Sequence, residues 1–155
     1  MTAEADIAAN IATFLADQSN NTTAVIGYAK VGNMIIGNVG TGTDYGSTIY
    51  VDYKPPTPDN VICVFGYAGM APEWTHDTKG TGRPGVQVWV RNTVAATGRT
   101  LIETIMLELD GIVNSTLSGT FYEGIFALQH PEPMGRDENG RSEFAVNFST
   151  RYRRT

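Results

Sequence analysis

The stretch Ser142-Glu-Phe-Ala-Val-Asn-Phe-Ser-Thr-Arg-Tyr-Arg153 decides how this chain folds. Phe144, Val146, Phe148, Thr150 and Tyr152 fall on one side of it, and Ala145, Asn147, Ser149, Arg151 and Arg153 on the other. A period of two is the mark of a strand with one buried face. Residues 121–129 form a second β-rich segment. Between the two lies Pro131-Glu132-Pro133-Met134-Gly135-Arg136-Asp137-Glu138-Asn139-Gly140-Arg141, a polar connection with turn signals at its prolines and at Asn139-Gly140. The run 121–154 therefore reads as a long β-hairpin with an elaborated tip.

Working outward, Val86-Gln-Val-Trp-Val-Arg91 reads as a strand, and Asn92 is placed to cap a helix over 93–109. On that helix Val94, Leu101, Ile102, Ile105, Leu109 and then Ile112 form one apolar face that must lie on the sheet. Gly98 inside it weakens the helix by about 1 kcal/mol relative to Ala, and its missing side chain lets the helix approach a strand closely. Gly111 supplies the stop, and residues 114–119 read as a turn into the final hairpin. Upstream, residues 47–54 alternate until Pro55-Pro56-Thr57-Pro58 forces a turn. Residues 61–67 are a continuous apolar run, as in a strand covered on both faces, and residues 69–85 read as a long loop. Near the N-terminus Ile7, Ile11, Phe14 and Leu15 stand at helical spacing. The expected order is α-β-β-β-α-β-β. This is an α+β domain spanning 1–155, with a mainly antiparallel sheet and the N-terminal helix and one long central helix packed on a face.

Composition narrows the function. The chain has 155 residues, 41% of them hydrophobic, enough for a real core. No apolar run approaches the length of a membrane span, and acids stand in the first 17 residues where a secretory signal would need bases. The expectation is a chain with no membrane partner, kept in the compartment where it is made, so the Asn-x-Ser/Thr matches at Asn21, Asn114 and Asn147 carry no glycan. The formal charge of −5 argues against a nucleic-acid-binding surface as a whole. Five of the eleven basic residues nonetheless fall at or after Arg136, which leaves room for a local basic patch. Cys63 is alone in an apolar run and reads as a buried thiol.

Sites for chemistry are few. The Gly-rich segment at about 20–46 contains Gly37-Asn-Val-Gly-Thr-Gly-Thr-Asp44, but a phosphate loop needs Lys and Ser/Thr after its last glycine. Asp44 would repel phosphate, so the segment reads as a loop or arm. Glu73, His76 and Asp77 share a loop in which an acid could orient an imidazole base, but no positioned nucleophile accompanies them. His76, His130 and Cys63 do not stand at metal-ligand spacing, and Glu132, Asp137, Glu138 and Glu143 lack the calcium-loop pattern. No catalytic, cofactor or metal residue is assigned. The mixed charges of Arg136, Asp137, Glu138 and Arg141 mark the hairpin tip as a candidate subunit interface. Trp74 in a loop and Arg151, Arg153 and Arg154 at the C-terminal end are candidates for partner contact, whereas Trp89 on a strand belongs to a core or an interface.

Val86-Gln-Val-Trp-Val-Arg91, then a helix, then Phe121-Tyr122 and Pro-x-Pro-x-Gly-Arg-Asp-Glu-Asn-Gly-Arg-x-Glu-Phe-x-x-Asn-Phe148, together with Pro55-x-x-Pro58-Asp59-Asn60, resemble the tail terminator proteins of long-tailed bacteriophages. These are also called tail-completion or minor capsid proteins. The resemblance runs from Ile49 to Arg154. It implies a structural virion protein, made in the host cytoplasm, that forms a ring, generally of six copies, at the head-proximal end of the tail tube. There it ends tube polymerisation and offers the surface for head-tail joining. Its implied partners are itself, the tail-tube protein and a head-completion or connector protein, with DNA passing through the ring without sequence-specific binding. The alternatives are a head-tail adaptor or neck protein and, outside virion assembly, a small hydrolase built on Glu73, His76 and Asp77.

Overall fold

The computed structural model describes residues 6–16, 49–57, 59–74 and 80–154. In chain order the elements are α1 (Ile7–Ala16), β1 (Ile49–Val51), β2 (Val61–Glu73), β3 (Thr81–Asn92), α2 (Ala95–Leu109), β4 (Ile112–Leu117), β5 (Thr120–Ala127), β6 (Glu132–Arg136) and β7 (Ser142–Arg153). The strands make one sheet in the order β1-β2-β3-β7-β5-β4, with β6 also beside β7. The α+β class stands.

The alternating strand β7 lies in the middle. β3 pairs with it antiparallel from Asn92 opposite Ser142 to Thr81 opposite Arg153. Along its other side β5 and β6 run end to end, β5 facing Phe148–Tyr152 and β6 facing Ser142–Ala145. The predicted hairpin is therefore present, and what reads as its tip is largely a strand of its own. Gly135, at φ 92, sits in the register shift of β6. Only Gly and a few polar residues take that backbone shape without strain.

Three further expectations change. Residues 114–119 are not a turn: Ile112–Leu117 is the edge strand β4, and only Ser118 and Gly119 turn. Both have positive φ (49° and 82°), as a two-residue hairpin of type I′ requires. Most of the loop expected over 69–85 is instead the outward continuation of β2 and β3, with register shifts on either side of Met70. Its glycines mask the strand signal, and two of them owe their absent side chains to packing. Gly85 lies under the Tyr67 ring and Gly82 against the Tyr152 ring. The sheet is also mixed, because β1 pairs with β2 in parallel. Asp52, at φ 54, follows the end of β1. The order is thus α-β-β-β-α-β-β-β-β.

Both described helices pack on one face. Ile7, Ile11 and Leu15 of α1 and Leu101, Ile102, Ile105 and Leu109 of α2 join Val86, Val88, Val90, Val146, Phe148, Tyr122 and Tyr152 in the main core. Helix α2 begins two residues after the expected start, so Val94, with no side-chain cap bond, and not Asn92 stands at its N-cap; Asn92 accepts the Val94 N–H at 2.9 Å in the turn before the helix. Gly98 does allow close approach: a Cβ there would stand 2.9 Å from the Phe144 ring. Across α1, the Asn10 amide donates to the buried Tyr122 hydroxyl at 2.9 Å and to Thr120 Oγ1 at 3.1 Å. Burial pushes the Tyr122 phenol up to about 12, with the Asn10 bond working against it.

The opposite face carries a smaller cluster of Tyr50, Val61, Cys63, Trp89 and Ala145 at the β1–β3 side. Lys54 closes it, its ammonium 3.9 Å from the centre of the Trp89 ring and 3.4 Å from Glu143. Among the described residues nothing packs over the remainder of this face, the open face, towards the C-terminal end of β7.

Candidate functional site

The two ends of β7 carry the two groups of residues picked out by charge, and the fold treats them differently. At the N-terminal end the turn Asp137–Arg141 is braced from within. Asp137 Oδ1 accepts the backbone N–H groups of Asn139 (3.0 Å) and Arg141 (2.9 Å), while its Oδ2 takes the Arg141 Nε at 2.7 Å. The Arg141 guanidinium is buried and also donates to Pro56 O (2.8 Å) and Asp59 Oδ1 (3.1 Å). Buried Arg91 donates to Asp59 O at 3.1 Å. Two arginines thus pin the connection between β1 and β2. Asp137 and Arg141 are engaged inside the chain, whereas Arg136 and Glu138 are exposed.

Partial burial works against the Asp137 charge, but the bonds from Arg141 and Asn139 outweigh it and hold the carboxyl below the usual carboxylate range. A carboxyl depressed in the folded state adds stability that is present above its unfolded pKa and lost as pH falls through the folded one. Asp137→Asn should therefore melt lower than the parent at neutral pH and lose less on acidification. Melting curves that stay parallel from neutral to acidic pH would show that the turn does not depend on this charge.

At the C-terminal end, residues distant in sequence meet on the open face. Arg83 lies opposite Arg151 in the register that pairs Gly82 with Tyr152 and Gly85 with Ser149. Like charges opposite each other repel, and Glu73 lies between them, with Oε1 3.1 Å from Arg83 Nη1 and Oε2 2.7 Å from Arg151 Nη2. A register shift between Tyr122 and Gly124 makes Glu123 a bulge residue. Bulges re-aim side chains, and Glu123 stands 3.7 Å from Arg151 Nε and 3.9 Å from Arg153 Nε. Arg153 lies over the Phe121 ring at 4.5 Å, and Arg154 over Trp74 at 4.9 Å. Trp74 is 72% exposed.

Of the four residues predicted for partner contact, Arg151 and Arg153 therefore share one surface, whereas Trp74 and Arg154 meet each other at the same end of the sheet. Arg83, Arg151 and Arg153 with Glu73 and Glu123 give this surface a net positive charge on a chain of formal charge −5. Exposed Tyr67 and Met70 flank it along β2, and exposed Val113 and Phe126 along β4 and β5. In register Val113 faces Gly124 and Gly124 faces Arg151, which puts them on one face of the sheet. Sequence reasoning missed Arg83 and Glu123. Arg83 hides among glycines that read as loop, and Glu123 is aimed by a bulge that local alternation does not announce.

Glu73 is held by arginines on both oxygens, and His76 and Asp77 lie outside the described residues, as does the Gly-rich segment 20–46. Cys63 is buried, and its thiol is pushed up to about 12 by burial, so it stays protonated at neutral pH. Among the described residues no group of three or more His, Cys, Asp and Glu side chains is placed to hold a metal ion, and no helix is long and apolar enough to cross a membrane.

A chain in a solved structure titled "Virion of native gene transfer agent (GTA) particle" has a similar fold, with a TM-score of 0.54 at 15% identity over 90% of this chain and 96% of that one. No curated protein sequence matches the chain. The family described as "Bacteriophage tail terminator protein" matches residues 36–154, which include every described strand and α2. The chain belongs to the bacteriophage tail terminator family and is a structural protein of the phage tail.

Proposed function

We propose that this protein closes the head-proximal end of the tail tube as a ring, six copies being the expected number. In that place it stops further addition of tube subunits and presents the surface on which the head is joined, with the DNA passing through its centre. The family match over residues 36–154 carries this reading. The arginine end supports it, because a structural protein that joins others needs an exposed aromatic and arginine surface of this kind. Arg136 and Glu138, exposed on the β6–β7 turn, are a second contact region for the neighbouring virion proteins. The head-tail adaptor remains the alternative, and it differs in the partner bound first.

Polymerising tail-tube protein with and without this chain separates the two. The terminator reading expects shorter tubes of narrower length distribution, with a cap of extra density at one end in negative-stain micrographs. Tubes of unchanged length, together with binding to connectors lacking tails, would replace it with the adaptor reading.

A further inference from the structure

The part of the sheet that no described helix covers has a counterpart elsewhere on the same molecule. Along the outer side of α2, Arg99, Glu103 and Leu107 stand four residues apart and are exposed, Leu107 by 71%, and the exposed C-cap Asp110, which accepts the Ala127 N–H at 2.8 Å, follows them. Glu108 lies one residue on from Leu107. The C-terminal end of a helix already carries partial negative charge. Here the last turn holds no basic residue to offset it. The C-terminal half of the outer side of α2, beyond Arg99, is thus acidic around one bare leucine, on the helix layer. The arginine end is a basic surface with apolar flanks, on the opposite face of the sheet.

We infer that the occupant of the arginine end is a second copy of this chain, seated by the outer face of its α2, Glu103 and Leu107 foremost, against Arg153 and its neighbours Arg151, Arg83 and Phe126. The two patches differ and lie on different layers, so the contact is head-to-tail, and repetition of it builds a ring or a filament without using up either patch within a pair. The contact also places a helix on the half of the sheet that no described helix of its own chain covers, and the exposed Leu107 gains apolar neighbours there. Opposite charge sets the register. This rests on the ring reading above and specifies its subunit contact.

Charge exchange tests it. Arg153 is 59% exposed on its side chain and Glu103 is exposed on a helix, so both tolerate reversal without disturbing the core. R153E alone would place Glu against Glu103 of the next copy, and E103R alone would place Arg against Arg153. Each should assemble only at concentrations about 100-fold above the parent in sedimentation velocity, because like charges then face each other. An equimolar mixture of the two should assemble like the parent, since every contact in an alternating ring is then matched, and so should the double variant. Normal assembly of R153E and E103R alone, or failure of the mixture to recover, would overturn this contact and leave the ring reading to other surfaces. A parent chain that stays monomeric alone and on tube ends would overturn both.

Discussion

Phe148→Ala should cost about 3–5 kcal/mol of folding stability, the usual range for removing a fully buried aromatic ring from a core. Phe148 is wholly buried in the central strand, with Val86 opposite on β3 and Ala127 opposite on β5. It belongs to the cluster that both α1 and α2 cover, so the cavity would open between the sheet and its helix layer. For a chain of this length each kcal/mol moves the melting temperature by roughly 2–4 °C, giving a fall of about 10 °C. Thermal melts by circular dichroism read this directly. A fall of only one or two degrees would mean that the sheet and helices close over the gap, and that β7 is not the strand on which the core depends.

Gly82→Val should cost about 1–3 kcal/mol, the range for overpacking a filled site, and it should act on the surface as well as on stability. Gly82 faces Tyr152 across β3 and β7, and a Cβ there would overlap the Tyr152 ring. That ring is buried against Tyr122, with centroids 6.4 Å apart, so it cannot simply swing into solvent. Its neighbours Arg151 and Arg153 must then shift relative to Glu73 and Glu123. Weaker assembly in sedimentation is expected alongside the lower melting temperature. Pairing Gly82→Ala with Tyr152→Leu should recover part of the loss of Gly82→Ala alone, because residues in contact do not act additively. Strict additivity of the two changes would show that the ring and the glycine do not constrain each other.

The contrast between the two ends of β7 shows how differently local and distant information act. Arg141 and Arg153 look alike in sequence, each a basic residue beside polar neighbours at an end of the same strand. Arg141 is buried because Asp137, four residues before it, and Pro56 and Asp59, more than eighty residues before it, supply its acceptors together. Arg153 stays out because its partner Glu123 sits at a bulge, 3.9 Å away and half-exposed, and Phe121 offers only a ring to lie on. Exposed pairs of this kind add about 0–1 kcal/mol, which leaves the side chain free to exchange its partner for another.

What the sequence by itself determined is what a single element's period can carry. The strict alternation of Ser142–Arg153 made β7 half-buried with Phe144, Val146, Phe148 and Tyr152 inward, and the spacing of Leu101, Ile102, Ile105 and Leu109 chose the face of α2 that meets it. Gly98 marked the close approach of that helix, and Trp89, which the sequence left between a core and an interface, is buried in the smaller cluster. The family resemblance rested on the same local stretches. Tertiary structure alone decided the pairing of β3 with β7, the parallel β1, the outward reach of β2 and β3 through glycines, and the meeting of Glu73, Arg83, Glu123 and Arg151 on one surface. The physical reason is that periodicity records which side of an element is buried, whereas register, bulges and charge partners depend on residues up to about eighty positions away that the period does not name.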